Sequence, residues 1–323
     1  MNNRCKLAMA LVVAAACCAH QAVAQSYPNK PVRLIVGFTP GSATDVTARI
    51  FAQKLSEAWG VAVAVDNVPG AGGTVGVARG AKSPPDGYTL TYAANGAMTI
   101  APGLQNKPPY DAGRDFAPIV LMVTMPNIVA VNNAVPAKSF QELIALARAR
   151  PGELSYATPG AGTPQHIAGE LLKSLAGVNI IHVPYRGATF TDVIGGRVTI
   201  AIQNTGAILP FVRDGKLRGL AVTSLRRSSN IPGLPTVAES GFPGFEAISW
   251  FALVAPAGTP ASIVAKVHDD AVKILAQPDI QAKLAQLGVE TAGSSPGELA
   301  AVINSDIEKW AKVIKEAGIT EGD

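Results

Sequence analysis

Residues 31–68 read PVRLIVGFTPGSATDVTARIFAQKLSEAWGVAVAVDNV and change hydrophobic period twice. The β-branched run at 31–38 predicts a strand, because such residues fit a buried pleated surface. One apolar helix face follows, formed by Val46, Ile50, Phe51, Leu55 and Ala58. Residues 61–68 alternate again and predict a second strand. A strand, a helix and a strand in this order predict parallel strands covered by the helix, which indicates an α/β fold.

The same alternation continues to the end of the chain. Further strands are predicted at 88–94, 126–132, 154–158, 179–185, 198–204, 217–223 and 249–256. The Ser-x-x-Glu capping boxes that begin at Ser139 and Ser295 predict helix starts, and so do the pairs Thr163-Pro164 and Thr259-Pro260. Gly177 is the predicted end of the helix that begins near Pro164.

The first 24 residues have the pattern of a secretory signal peptide. Arg4 and Lys6 precede an apolar stretch at 7–19, and Ala22-Val23-Ala24 forms a cleavage site of small residues. The alternative is a lipoprotein signal at Cys17 or Cys18, but no Leu stands three residues before either cysteine. Cleavage near Ala24 would remove all the cysteines, which excludes disulfides and thiolate metal sites from an exported, periplasmic mature chain.

Composition excludes several classes of protein. The 323 residues carry a net charge of +4 without a run of Lys or Arg, so nucleic acid is not an expected partner. The apolar segment 116–135 is interrupted by Pro118 and Pro126, so it is too short to span a membrane. Residues 70–75, GAGGTV, lack the third glycine of a dinucleotide fingerprint, and no catalytic or metal-binding motif is present. We therefore expect no cofactor, no metal and no enzymatic activity.

Three junctions between a predicted strand and a predicted helix are rich in small polar residues. They are GFTPGSATD at 37–45, AANGAMT at 93–99 and TPGAGTPQH at 158–166. Such junctions gather at the carboxyl ends of parallel strands, where open α/β folds bind ligands. The start of a helix offers unpaired N–H groups and a partial positive charge, and glycines let an anion approach. The first and third loops therefore predict two halves of a site for a small carboxylate, with Asp45 capping the first helix.

Several longer motifs resemble one family along nearly the whole mature chain. They are YPNKPVRLIVGFTPGSATD, DNVPGAGGTVG, SPPDGYTL, LSYATPGAGTPQHIAGELL, VPYRGA, LAVTSLRRS and LPTVAESGFPGFEAISWFALVAPAGTP. They resemble the substrate-binding proteins of tripartite tricarboxylate transporters, also called Bug proteins. The resemblance implies a two-domain periplasmic binding protein of the type II-like "Venus flytrap" kind, with a mainly parallel sheet in each domain. It also implies a monomer that passes a small carboxylate to membrane permease subunits.

The loops at 37–45 and 158–166 are called the first and the second loop from here on. The resemblance implies that these two loops hold one ligand carboxylate between the domains. The ligand contacts carried over are Thr39, Gly41, Ser42, Thr44 and Asp45 from the first loop and Ala161, Gly162, Thr163 and His166 from the second, with Asn95 and Asn204 touching the rest of the ligand. We expect the chain to cross between domains in the extended segments 124–132 and 248–255. This gives a discontinuous first domain of 25–124 and 250–323, and an inserted second domain of 125–249.

The sequence departs from the family pattern at Thr199 and Gln203, where aspartates are common, which favours a ligand without an amino group. The class of carboxylate stays open among dicarboxylates, aromatic acids and tricarboxylates. The alternative function is a ligand-sensing subunit that signals to a two-component sensor kinase. A third alternative is an exported enzyme that uses the same cleft.

Overall fold

The computed structural model describes residues 27–105, 107–160, 163–185 and 190–320. The predicted signal peptide and the loop residues Ala161 and Gly162 lie outside the described residues. The strands are β1 Val32–Val36, β2 Val63–Asn67, β3 Thr89–Ala94, β4 Phe116–Met125, β5 Asn127–Asn132, β6 Ser155–Thr158, β7 Ile181–Pro184, β8 Ile200–Asn204, β9 Leu217–Val222, β10 Ser249–Pro256 and β11 Glu290–Thr291.

Helices cover both sheets. They are α1 Ala43–Trp59, α2 Thr74–Ala81, α3 Ala101–Leu104, α4 Phe140–Ala149, α5 Pro164–Ala176, α6 Phe190–Ile194, α7 Thr205–Arg213, α8 Ala261–Leu275, α9 Pro278–Gln286 and α10 Pro296–Ala317. A 3₁₀ turn at Ala71–Gly73 precedes α2, and a π-helical turn at Gly96–Ile100 precedes α3. Among the described residues, no helix combines the length and apolarity needed to cross a bilayer.

The strands form two sheets, and each sheet with its helices is called a lobe here. The first lobe has six strands in the order β11-β4-β10-β3-β1-β2, and the second has five in the order β7-β6-β8-β5-β9. The α/β class is confirmed, and most strands of each sheet point in one direction. In the first sheet β10 pairs antiparallel with both β3 and β4, and in the second β5 pairs antiparallel with both β8 and β9. The strands that follow a passage between the lobes run against their neighbours, so both sheets are mixed.

The chain passes between the lobes twice, after β4 and before β10. At this point the side chain of Asn127, which is fully buried, donates from Nδ2 to the Ala247 carbonyl across 2.8 Å. The Thr223 hydroxyl donates to the same carbonyl across 2.7 Å. Because buried polar groups are costly unless they are paired, these bonds hold the two passages side by side.

Helix α10 packs against both lobes. Leu299 and Ile303 near its start belong to an apolar cluster under the first sheet. Trp310, Val313 and Ile314 near its end belong to the main core of the second lobe. Burial of one aliphatic side chain contributes about 1.5–3 kcal/mol, so the apolar contacts of this helix stabilise its packing on both cores.

Most predicted helix signals are confirmed. Ser295 and Glu298 form a complete capping box, Ser139 accepts the N–H of Glu142, and Gly177 ends α5 in the left-handed conformation. The helix predicted after Thr259-Pro260 is present as α8, which begins at Ala261, but Thr259 is not its cap, because its hydroxyl donates to the Pro256 carbonyl.

Candidate ligand-binding cleft

A cavity of about 320 Å³ lies between the two lobes. Its described lining consists of Phe38, Ser42, Ala43, Thr44, Gly72, Ala94, Asn95, Gly96, Ala101, Pro159, Thr163, Pro164, Gln165, Asn204, Ser249 and Phe251. The starts of α1 and α5 both belong to this lining, so the two predicted loops do meet at one cavity. The lobes approach closely here, since a Cβ placed on Gly96 would lie 3.5 Å from Pro164 Cδ.

Ser42 begins the first of these helices. Its hydroxyl oxygen accepts the N–H of Asp45 across 3.2 Å, which leaves its own hydrogen available to a ligand. Ser42 is therefore the N-cap, and the expectation that Asp45 caps this helix is wrong. The N–H groups of Ala43 and Thr44, in the first turn, have no acceptor within the helix. Together with the partial positive charge of the helix end, these donors favour an anion.

Asp45 shapes the first loop from behind the cavity. Its carboxylate, which is 2% exposed, accepts from the Gly41 N–H at 2.9 Å, from Arg49 Nε at 3.0 Å and from Asn67 Nδ2 at 2.8 Å. Burial alone would raise the pKa of Asp45, but the bonds from Arg49, Gly41 and Asn67 outweigh burial and lower the pKa. The carboxylate is thus ionised and occupied by protein donors. Thr39 and Gly41 are exposed and do not belong to the described lining.

Thr163 begins the second of these helices and fixes the loop before it. Its hydroxyl donates to the Gly160 carbonyl across 2.7 Å and accepts the N–H of His166 across 3.3 Å. The hydroxyl hydrogen is therefore used within the loop in this arrangement. Pro164 has no N–H, so the backbone N–H that remains for an anion in this first turn belongs to Gln165.

Three polar side chains form one hydrogen-bonded group on the cavity wall. Asn204 Oδ1 accepts from Gln165 Nε2 at 2.6 Å and from the Ser249 hydroxyl at 3.0 Å. The three residues come from the start of α5, the end of β8 and the start of β10. Because the acceptor of Asn204 is occupied, its side-chain N–H₂ is the group that it can offer to a ligand.

Two other predicted contacts have internal roles. Asn95 lines the cavity, but its amide donates to the Ile248 carbonyl at 3.0 Å and accepts the Trp250 N–H at 3.3 Å, which ties the start of β10 to the end of β3. His166 is buried and stacks on His182 with ring centroids 3.8 Å apart. It does not belong to the described lining of the cavity.

Sequence reasoning missed eleven residues of the described lining, and four of them bring larger or polar side chains, namely Phe38, Gln165, Ser249 and Phe251. Gln165 could have been found, because it stands inside the second loop. Ser249 and Phe251 could not, because only the alternation of β10 turns them toward the cavity while Trp250 faces the other side. Thr199 and Gln203 are also outside the described lining, so their departure from the family pattern does not act on this cavity directly.

The chemistry of the lining is uncharged. None of its described residues is acidic, basic or histidine. Anion binding here would rest on two helix ends and on hydroxyl and amide donors. Two α/β lobes, joined by two passages and enclosing such a cavity, have the architecture of a two-lobed binding protein for a small ligand.

Comparison with known proteins gives the family. Residues 47–319 match the family described as tripartite tricarboxylate transporter family receptor, and the chain belongs to that family. BugT of Bordetella pertussis is 36% identical over 299 residues, with 91% of each chain covered. The structure of Rpa4515 from R. palustris with adipate has a TM-score of 0.78 and 37% identity, covering 91% of this chain and 99% of that one. MatC from Rhodopseudomonas palustris with bound malate has a TM-score of 0.74 and 29% identity, covering 89% and 100%.

These matches confirm the resemblance found in the sequence. The family consists of transporter receptors rather than enzymes. The family description and the two ligand-bound relatives do not favour the sensor-kinase alternative.

Proposed function

We propose that the chain is a periplasmic receptor that closes its two lobes on a small carboxylate and delivers it to the membrane permease subunits of a tripartite tricarboxylate transporter. One observation carries the proposal: two helix N-termini, one from each lobe, line the same uncharged cavity. Each end attracts an anion, and neither lobe alone supplies the full set of donors. Closure on the ligand follows because the donors of both lobes are satisfied only together.

The contacts of the bound carboxylate belong to the same proposal. Ser42 and the N–H groups of Ala43 and Thr44 hold it from the first lobe, and the Gln165 N–H holds it from the second. Ala161 and Gly162 stay proposed partners from the second loop. Asn204 donates to the body of the ligand. Asp45 contributes to ligand binding indirectly, because it organises the first loop. His166 contributes indirectly as well, through its packing below the second loop.

Adipate and malate, bound by the two solved relatives, support small carboxylic acids as the ligand class. The proposal includes export by the signal peptide at 1–24, domains of 25–124 with 250–323 and of 125–249, and a monomeric receptor. N-terminal sequencing of the exported protein should give Gln25 as its first residue. Light scattering should give the mass of one chain.

The test is a thermal-melt screen of the mature chain, unfolded and refolded to strip bound ligand, against mono-, di- and tricarboxylates and amino acids. A ligand at 100 times its Kd stabilises by about 2.7 kcal/mol, which raises Tm measurably. Uptake of the best ligand by cells that lack the receptor gene, with and without a plasmid copy, tests delivery. A receptor that binds but does not restore uptake would contradict the transport role, and a ligand recovered chemically changed would contradict the receptor role.

A further inference from the structure

Two phenylalanines contribute apolar surface to the cavity, and both contact neighbouring parts of the first lobe. Phe251 is 5% exposed and packs against the ring of Tyr92, with centroids 5.8 Å apart. Phe38 is half-buried, and its carbonyl accepts from Asn67 Nδ2 across 2.9 Å. Both side chains line the cavity with Ala94 and Ala101 nearby. The two rings thus place apolar surface beside the polar helix ends of the cavity.

The glycine-rich segment at 70–76 lies directly against the ring of Phe38. A Cβ placed on Gly73 would lie 2.8 Å from Phe38 Cε2, and Gly73 has a φ of +98°. A Cβ on Gly37 would lie 2.6 Å from the Gly73 carbonyl oxygen. Only glycine allows this approach, so the segment that resembles a dinucleotide fingerprint serves here to seat an aromatic ring against the backbone.

The side-chain oxygens of Asn204 and Asn95 on this wall are not free to accept from an ammonium or a hydroxyl. Asn204 Oδ1 already accepts from Gln165 and Ser249, and Asn95 accepts from the Trp250 N–H and donates to the Ile248 carbonyl. The described lining has no carboxylate. A hydroxyl or ammonium pressed against Phe38 or Phe251 would lose its hydrogen bonds to water without replacement.

We infer that Phe38 and Phe251 are specificity-determining residues that select carboxylic acids with an unsubstituted apolar body, an alkyl chain or an aromatic ring, against hydroxy acids and amino acids. This inference rests on the proposed function and names its substrate class. The helix ends hold the carboxylate, the two rings cover the hydrocarbon part, and the amide of Asn204 bonds a polar atom at its far end.

Two matched series of acids test the inference by isothermal titration calorimetry on the refolded mature protein. Succinate, malate and aspartate differ only in hydrogen, hydroxyl or ammonium at one carbon. Succinate, glutarate and adipate differ only in the number of methylenes. Each added methylene should tighten Kd about fourfold, because burial of one methylene contributes about 0.8 kcal/mol. Malate and aspartate should bind about tenfold or more weakly than succinate.

Variants locate the selection in the two rings. Phe38→Ala should bring the ratio of the succinate Kd to the adipate Kd down towards one. The Kd of succinate itself should change about threefold at most. Gly73→Ala should act in the same direction without removing a lining side chain. Phe38→Gln should bring malate closer to succinate, because it offers a hydrogen-bonding partner. Phe251→Leu keeps an apolar wall and should preserve the preference, while Gly233→Ala, with open space around its Cα, is the control for a glycine substitution.

The outcomes separate the two proposals. If no acid in either series binds, the proposed function itself fails. If acids bind but malate or aspartate equals adipate, the receptor stands and the selection by Phe38 and Phe251 is wrong. An unchanged adipate-to-succinate ratio in both Phe38→Ala and Gly73→Ala would also overturn the inference.

Discussion

The side-chain amide of Gln165 donates to Oδ1 of Asn204 across 2.6 Å, at the wall of the cavity between the lobes. The hydroxyl of Ser249 donates to the same oxygen. Three chain segments that are remote in sequence therefore fix the orientation of one amide. That orientation presents a donor rather than an acceptor to the cavity, which suits an anionic group of a ligand.

A substitution at Asn204 can replace the donor that faces the cavity with a negatively charged acceptor and still keep the bonds to its neighbours. In Asn204→Asp, Gln165 and Ser249 still find an acceptor, but the donor that faces the cavity becomes a carboxylate oxygen. We expect Kd for the best carboxylate to rise about tenfold or more through repulsion, with little change in Tm of the free protein. Calorimetry and thermal melting measure the two effects, and tight binding by the variant would exclude Asn204 from the site.

The hydroxyl of Ser42 has two roles that one substitution removes together. Ser42→Ala should cost about 1 kcal/mol of unfolding free energy as a lost N-cap. It should also weaken carboxylate binding by about 1–3 kcal/mol through the lost donor. Ser42→Thr keeps the hydroxyl and is the matched control. Equal Kd values for the Ala and Thr variants would remove Ser42 from the ligand contacts.

Asp45 should make stability depend on pH in a definite direction. The folded protein lowers its pKa below the ordinary value of 3.8, so its contribution is present above that value and is lost as pH falls through the folded pKa. Wild type should therefore exceed Asp45→Asn in unfolding free energy at pH 6. The difference should shrink as pH decreases below about 4. Urea unfolding midpoints for both proteins across this range provide the measurement, and a constant difference would contradict the assignment.

Gly206 lies where the lobes meet backbone to backbone. A Cβ on this residue would lie 2.1 Å from the carbonyl oxygen of Leu287, in the segment just before β11. Gly206→Ala should force the two segments apart and weaken ligand binding, because the lobes can no longer approach fully. Small-angle scattering with saturating ligand should show a larger radius of gyration than wild type.

Gly297 offers the matched control for that experiment. It lies in the first turn of α10 with open space around its Cα. Gly297→Ala should leave binding unchanged and slightly raise stability. If Gly206→Ala behaved in the same way, the contact with Leu287 would not limit closure.

Much of the fold follows from local sequence. The period of residues 31–68 predicts β1, α1 and β2, because alternation and helical spacing are properties of neighbouring residues. Ser139, Ser295 and Gly177 mark helix ends through bonds that span only a few residues. The strand β4 was missed, since Pro118 interrupts its pattern. In the sheet, Pro118 pairs with Val254 beside a register shift in β10, where a strand tolerates proline.

The candidate site, like the fold, is partly determined by local sequence and partly by contacts between distant residues. Glycines and hydroxyl residues at 37–45 and 158–166 identified both helix ends that line the cavity. This was possible because the groups that bind an anion are neighbours within one loop. The sequence by itself thus determined the α/β class, the helix caps and the two anion-binding loops. Only the tertiary structure decided the mixed sheets, the burial of His166 against His182, and the placement of Phe251 and Ser249 beside Asn204. The reason is that helix caps and hydrophobic periodicity depend on residues close together in sequence. The contacts decided by the tertiary structure depend instead on which distant strands pair as the chain buries its apolar faces.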